Sequence, residues 1–231
     1  MSAMIAEIFG PTVQGEGPNT GKHCAFVRSG RCNLSCSWCD TPYTWDWRGQ
    51  NGVMYDPTVE LRKVEIDEIV ETLADYLVDR VVITGGEPLM QTTALAELAD
   101  RLLEDGYSVE VETNGTRKPL PNPEIQWNVS PKLAHSGDPF ELRINFDALA
   151  LFRDAGAIFK FVCESEADLE EVAGFADKLN LDADSIWIMP EGKTPDAVAQ
   201  HLALVADGAI ARGWNISGRL HVSIWGDTRG K

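Results

Sequence analysis

The sequence has 231 residues, of which 36 are acidic and 20 are basic, so its formal net charge at pH 7 is -16. This length suffices for one α/β domain with a sizeable core, and no linker composition divides the chain. The strongly negative charge disfavours nucleic acid or an anionic membrane as a partner.

The start of the chain lacks a basic segment followed by a long apolar stretch, and no window approaches the roughly 20 apolar residues of a membrane span. We therefore expect a cytoplasmic protein. Three of the five cysteines fall within eight positions. Secreted proteins instead pair their cysteines in disulfides, so this clustering indicates a metal site.

Six short apolar runs rich in β-branched residues predict strands, because most of them end in glycine, proline or a polar turn. Four segments between them show helical periodicity. This alternation predicts a parallel sheet with right-handed crossovers, either doubly wound or partly closed as a barrel. The predicted strands are 23–28, 80–84, 108–112, 125–129, 157–162 and 185–189, and the helical patterns are 66–77, 95–102, 169–179 and 198–205.

Residues 41–65 contain Trp45 and Trp47 but little periodicity, which predicts a long loop with at most short local structure. Two interpretations of this loop are open. It could be a lid over a site, or a surface loop whose tryptophans pack on the core.

The cysteine loop, Cys32-Asn-Leu-Ser-Cys36-Ser-Trp-Cys39, follows the first predicted strand. Three thiolates on one loop suit an iron–sulfur cluster or zinc. A structural site normally closes with four protein ligands, so another group must fill the fourth position here. Cys24 or Cys163 could close the site, but each lies in an apolar run where a buried structural role is more usual.

Polar segments follow the later strands, where ligands gather in both candidate architectures. Thr84-Gly-Gly-Glu-Pro88 has two glycines that permit close backbone approach to a ligand, and Glu87 adds an acceptor. Three further segments, 112–115 (ETNG), 130–132 (SPK) and 189–192 (MPEG), stand at predicted strand ends. Alone, each could equally be a turn or a helix cap.

The CxxxCxxC spacing and the TGGEP segment together resemble the signature of the radical S-adenosylmethionine (SAM) superfamily. The resemblance implies a partial parallel (βα) barrel of about six strands. It also implies a 4Fe-4S cluster on the three cysteines, with one open iron that binds SAM. The cofactor-binding residues that it implies are Trp38, Cys39, Asp40, Gly86, Glu87, Glu112, Ser130, Pro131, Lys132, Met189, Pro190, Glu191 and Gly192.

The segments IFGPTVQGEG (8–17), FVRSGRCNLSCSWCDT, TGGEP, ETNG and VSPK, in this order, resemble the 7-carboxy-7-deazaguanine synthase family over essentially the whole chain. The resemblance implies a magnesium-dependent lyase of queuosine and deazapurine biosynthesis. Such a lyase contracts 6-carboxy-5,6,7,8-tetrahydropterin to 7-carboxy-7-deazaguanine with loss of ammonia. By the same resemblance, residues 8–17 bind substrate within one radical SAM domain spanning 1–231, with Val13, Gln14, Gly15 and Thr84 at the pterin, Arg28 on its carboxylate and Thr41 on magnesium.

Arg28 has a physical argument of its own. Strand alternation aims it opposite to Val27, and a planar guanidinium pairs bidentately with a carboxylate. An inward arginine in a barrel needs an anion. That anion is either the substrate carboxylate or an internal partner such as Glu16.

The chain departs from the family near its end, where a Thr-His-Lys stretch is replaced by Val-Ser-Ile-Trp-Gly at 222–226. How residues 222–231 close the pocket is therefore open. His221 lies nearby, and strand alternation there could place it against substrate, core or solvent.

Two other functions fit part of the pattern. An activase that makes a glycyl radical on a partner protein shares the cysteine loop, and a zinc or electron-transfer module needs no cofactor cleavage. The resemblance further implies a homodimer, and the chemistry requires an electron donor such as flavodoxin or ferredoxin. Both donors are acidic, so a local basic patch is expected on this acidic chain.

Overall fold

One mixed sheet of nine strands forms the centre of the fold. In the computed structural model, which describes residues 1–231, the strands are β1 (Ser2–Val13), β2 (His23–Ser29), β3 (Arg62–Glu65), β4 (Arg80–Gly85), β5 (Ser108–Thr113), β6 (Gln126–Val129), β7 (Ile158–Cys163), β8 (Ile186–Pro190) and β9 (Asn215–Ile216). Their order is β3-β1-β2-β4-β5-β6-β7-β8-β9. The strands from β2 to β9 in this order are parallel, whereas β1 pairs antiparallel with β2 and β3. The edge strands β3 and β9 do not pair, so the barrel is partial.

Eight helices connect the strands: α1 (Pro57–Glu60), α2 (Ile66–Ala74), α3 (Thr92–Glu104), α4 (Phe140–Arg143), α5 (Phe146–Asp154), α6 (Glu166–Leu179), α7 (Pro195–Ala211) and α8 (Leu220–Trp225). Local capping interactions determine where these helices begin and end. Helix α6, for example, begins at a capping box between Ser165 and Asp168 and ends at Asn180, whose φ of 51° is left-handed. None of these helices has both the length and the apolar character that crossing a bilayer requires.

All six predicted strands are confirmed, as β2 and β4 to β8, and α2, α3, α6 and α7 match the four helical patterns. Strand β1 was not predicted, because Gly10-Pro11 resembles a turn and the pairing of β1 with β2 is irregular at two points. The predicted loop 41–65 contains two pieces of short local structure, α1 and β3. Both elements have only four residues, too few to show a period.

The two faces of the sheet have opposite chemistry. Alternate residues of each strand, such as Val109 and Val111 of β5, join the hydrophobic core beneath the helices. Their neighbours point to the inner face, where the carboxylate of Glu110 and the ammonium of Lys160 are buried. Because side chains alternate with a period of two, one run of residues builds both the core and a polar interior.

Phe152 of α5 packs against the sheet. Its fully buried ring meets Trp127 edge to face, with 5.2 Å between the ring centroids. We expect Phe152→Ala to lower the free energy of unfolding by about 3–5 kcal/mol, measured by urea denaturation. The exposed neighbour variant Leu151→Ala should cost about 0.5 kcal/mol or less. Equal losses in both variants would contradict this packing.

Candidate active site

One cavity lies on the inner face of the sheet, where β2 and β4 to β8 reach their carboxyl ends. It brings together most of the residues that the sequence analysis selected. Those lining it are Val13, Gln14, Gly15, Arg28, Cys32, Cys36, Trp38, Cys39, Asp40, Thr41, Thr84, Gly86, Glu112, Ser130, Lys132, Met189 and Glu191. Glu87, Pro131, Pro190 and Gly192 do not line it.

The cysteine loop forms one wall of this cavity. Its three sulfur atoms do not all lie within 4.8 Å of one another. The ligands of a single tetrahedral zinc ion, each about 2.3 Å from the metal, would be closer together than this. The donor set therefore fits a multi-iron cluster better than one ion. Burial raises the pKa of Cys32 and Cys36 to about 12, so a metal that binds these thiols must displace their protons.

Cys24 and Cys163 take no part in the site. Both are free and fully buried. Cys24 packs with Phe26 and Val82 in a small apolar cluster, whereas Cys163 belongs to the main core. The structure thus confirms the buried structural roles that their apolar surroundings predicted, and it does not form a four-cysteine site.

The glycines of the TGGEP turn approach backbone rather than open space. A Cβ atom on Gly85 would collide with the backbone of Ser29, and one on Gly86 would collide with the carbonyl of Arg31. Gly85 also has a φ of 138°. Glycine is therefore required here so that the turn can pack against the start of the cysteine loop.

Glu87 lies behind the cavity wall and is fully buried. Its carboxylate accepts hydrogen bonds from the backbone N–H of Leu89 (2.9 Å), the hydroxyl of Thr113 (2.8 Å) and the backbone N–H of Asn114 (2.7 Å). These bonds tie the TGGEP turn to the ETNG turn. The acceptor that the sequence analysis assigned to the cofactor is thus occupied by the protein itself.

Lys132, Ser130 and Trp38 come together on the other side of the cysteine loop. The Lys132 ammonium donates to the Ser130 hydroxyl at 3.0 Å and lies 5.5 Å from the Trp38 ring centroid. The same indole stacks on His135 with 5.5 Å between the centroids. The SPK turn and the cysteine loop therefore form a common surface at the cavity.

A network of buried charges forms the floor of the cavity. Lys160 of β7 forms a close ion pair with Glu16 and lies 3.5 Å from Glu112. Arg219 pairs with Glu16 at 3.0 Å and contacts Asp40, which follows the last cluster cysteine. Burial would raise the pKa of Glu16, but Lys160 and Arg219 lower it far below its ordinary value, so Glu16 stays ionised.

Most of this charge network was not predicted from the sequence. Lys160 carried a usable signal, since it is a lone charge inside the apolar run IFKFVC and a buried lysine needs a partner. Glu16 lay within the segment 8–17 but was considered only as a partner for Arg28. Arg219 lies just before α8 in a segment without a recognisable pattern, and nothing in the sequence marked it.

Arg28 points into the cavity with part of its guanidinium uncommitted. Its Nε donates to Glu7 at 3.0 Å, and the Tyr43 hydroxyl donates to the same carboxylate oxygen at 2.8 Å. Neither terminal nitrogen of Arg28 donates to the protein, so both are available to a ligand carboxylate. Arg28 therefore has an internal partner, as the alternative interpretation expected. That partner is Glu7 of β1 rather than Glu16.

Glu112 accepts hydrogen bonds from two of the residues predicted to bind the pterin. The Thr84 hydroxyl donates to it at 2.8 Å, and the Gln14 amide nitrogen lies 3.4 Å from its other oxygen. The same amide also reaches Glu110 at 3.3 Å. These side chains are therefore fixed before any ligand arrives.

The expected strand near His221 is wrong, because residues 220–225 form α8. The helix places the His221 ring against Gly15, where any Cβ atom would collide with it. Burial lowers the pKa of His221, which keeps the ring neutral at physiological pH. His221 therefore lines the cavity beside the QGEG segment and stays partly exposed to solvent.

Comparison with known proteins agrees with this geometry. The model of the Radical SAM superfamily matches residues 26–179. The 7-carboxy-7-deazaguanine synthases of Pyrobaculum aerophilum and Hyperthermus butylicus are 36% and 32% identical, over 98% and 95% of this chain and 96% and 92% of their own. The crystal structure of QueE from Escherichia coli is similar with a TM-score of 0.74 and 27% identity, over 95% of each chain.

Because only three cysteines are assigned to the cluster, alanine variants of the five cysteines should fall into two groups that differ in cluster binding. Replacing Cys32, Cys36 or Cys39 by alanine should abolish most cluster binding after anaerobic reconstitution, because each removes one ligand. Cys24→Ala and Cys163→Ala should keep the iron content and visible absorption of the unaltered protein. Loss of iron in either of these two controls would show that the site has a fourth protein ligand.

Proposed function

This chain belongs to the 7-carboxy-7-deazaguanine synthase family of the radical SAM superfamily, and we propose that it contracts 6-carboxy-5,6,7,8-tetrahydropterin to 7-carboxy-7-deazaguanine with loss of ammonia. It is a radical SAM enzyme, so a 4Fe-4S cluster and SAM are its cofactors. The observation that carries the proposal is the single cavity shared by the cysteine loop, residues at the carboxyl ends of β4 to β8 and the QGEG segment. The product would enter queuosine or another deazapurine pathway. An activase or a zinc module does not account for the family match.

In this proposal the cofactors bind at the wall made by the cysteine loop. Cys32, Cys36 and Cys39 hold the cluster, which together with SAM supplies the adenosyl radical for hydrogen abstraction. The residues around it orient the cofactor and exclude water. Eight of the residues implied for the cofactor line the cavity: Trp38, Asp40, Gly86, Glu112, Ser130, Lys132, Met189 and Glu191. Four more belong to the turns that carry these residues: Glu87, Pro131, Pro190 and Gly192.

The substrate binds beside the QGEG segment. Arg28 offers its two terminal nitrogens to the pterin carboxylate, and Glu7 fixes the guanidinium through its Nε. Gln14 and Thr84, both held by Glu112, face the polar edge of the ring together with the backbone of Val13 and Gly15. Because these groups are preorganised, little reorientation is required at the moment of reaction.

Thr41 is the proposed magnesium ligand. Its hydroxyl lines the cavity 3.7 Å from the Cys39 sulfur and provides a hard oxygen of the kind that magnesium prefers. A single protein ligand fits this ion, because magnesium retains several waters and binds through substrate oxygens. Thr41 would therefore hold the ion next to the substrate.

We also propose that the chain acts as a single cytoplasmic domain, forms a homodimer and receives electrons from flavodoxin or ferredoxin. The homodimer is proposed because the family resemblance implies one. Exposed Arg117 and Lys118 support an acidic donor, since they follow Thr116, whose hydroxyl accepts a hydrogen bond from Asn33 of the cysteine loop.

The proposed reaction predicts turnover with one substrate. The reconstituted enzyme, given SAM, magnesium, a reductant and 6-carboxytetrahydropterin under argon, should yield 7-carboxy-7-deazaguanine, identified by mass spectrometry. Substrate deuterated at the carboxylate-bearing carbon should pass label to 5′-deoxyadenosine. Deoxyadenosine formation without a deazapurine would show that the substrate is wrong.

Arg28→Ala should raise the KM for the pterin about 10- to 100-fold, the equivalent of losing hydrogen bonds to a charged group. The KM for SAM should change little, because Arg28 is assigned to the substrate alone. Arg62→Ala, which breaks an exposed ion pair with Glu68, serves as the control. An unchanged pterin KM in Arg28→Ala would refute the carboxylate assignment.

A further inference from the structure

Trp45 donates a hydrogen bond to a sulfur of the cysteine loop. Its indole Nε1 lies 3.3 Å from the Sγ of Cys39, and the ring lines the cavity. This indole is the one side-chain nitrogen that donates to any of the three cysteine sulfurs. An N–H in this position stabilises negative charge on the sulfur.

The backbone around Trp45 is fixed independently of this bond. Its own N–H donates to the carbonyl of Pro42 at 3.0 Å, and the carbonyl of the preceding Thr44 accepts the N–H of Arg31 at 2.7 Å. The following residue, Asp46, is buried and accepts the backbone N–H of Asn51 at 2.7 Å. The start of the loop 41–65 is thus held next to the cysteine loop by its own hydrogen bonds.

A carboxylate lies beside a second sulfur of the cysteine loop. An oxygen of Asp138, itself nearly buried, lies 3.6 Å from the Sγ of Cys36. This carboxylate accepts the backbone N–H and the hydroxyl of Ser35, at 3.1 and 2.9 Å. The Cys39 sulfur therefore has a side-chain N–H donor that the Cys36 sulfur lacks.

Hydrogen bonds to the sulfurs are one of the means by which a protein sets the reduction potential of an iron–sulfur cluster. Reduction adds one electron, and part of its charge falls on the cysteine sulfurs. A donor that stabilises this charge favours the reduced cluster and makes the potential less negative. A nearby carboxylate has the opposite effect.

We propose that Trp45 is a positioning residue that orients Cys39 and makes the cluster easier to reduce. The inference rests on the proposed function, because it requires the cluster to bind at Cys32, Cys36 and Cys39. The step concerned is the transfer of one electron from a flavodoxin-type donor or dithionite to the cluster. Trp45 itself is neither oxidised nor reduced.

Trp45→Phe tests this inference by removing the N–H while keeping an aromatic ring. Trp47→Phe is the matched control, since Trp47 lies in the same loop, is likewise half-buried and makes no side-chain hydrogen bond. Each full-length protein is reconstituted anaerobically without SAM, assayed for iron and sulfide, and titrated with reductant while the reduced cluster is followed by electron paramagnetic resonance (EPR).

We expect a more negative midpoint potential for Trp45→Phe, by up to a tenfold change in the reduction equilibrium, which is about 59 mV for one electron. Trp47→Phe should titrate like the unaltered enzyme. Equal potentials in all three proteins, each with a full cluster, would overturn the inference. Failure of the unaltered protein to assemble a 4Fe-4S cluster would instead refute the proposed function.

A second variant keeps the test decisive if Trp45→Phe does not retain iron. Trp45→Tyr restores a donor in the form of a hydroxyl. Recovery of iron content in Trp45→Tyr would support the positioning role of the hydrogen bond. Loss of iron in both variants would show that the indole ring matters rather than its N–H, and would overturn the inference.

Discussion

The pairing of buried charges on the inner face of the sheet is the constraint on which the rest of the structure depends. An unpaired ion in such an interior would cost several kcal/mol. Buried ions must therefore form ion pairs even when they lie far apart in sequence, as do Glu16, Lys160 and Arg219. Their meeting brings the segment after β1, strand β7 and the residue before α8 to one place, so charge satisfaction also assembles the cavity.

Arg219 shows how this constraint becomes functional geometry. Its guanidinium contacts Glu16 of the QGEG segment and Asp40 next to the cysteine loop, and it donates to the carbonyl of Gly192 at 2.6 Å. One buried side chain thus joins the segments proposed for substrate, cluster and cofactor. Radical chemistry requires such positioning, because the reacting atoms must meet in a fixed geometry without water.

The elements and sites that depend on a local sequence pattern could be predicted. Apolar runs rich in β-branched residues and helical periodicity located β2, β4 to β8 and four helices, and cysteine spacing indicated the metal site. Features that depend on distant partners escaped. Strand β1 is recognised by its pairing with β2 and β3 rather than by its own alternation, which Gly10-Pro11 and two irregularities interrupt. Glu7 was missed with it, and so were two of the donors to Glu87, Thr113 and Asn114, which lie 26 and 27 residues away in sequence.

The cysteine loop is proposed to hold a cluster with one iron open to SAM. Electron–nuclear double resonance on the reduced cluster, with SAM carrying ¹⁵N in its amino group, detects binding of SAM to that iron. We expect a ¹⁵N coupling that vanishes when SAM is omitted. An intact four-iron cluster that shows no such coupling at saturating SAM would show that the open iron does not bind SAM.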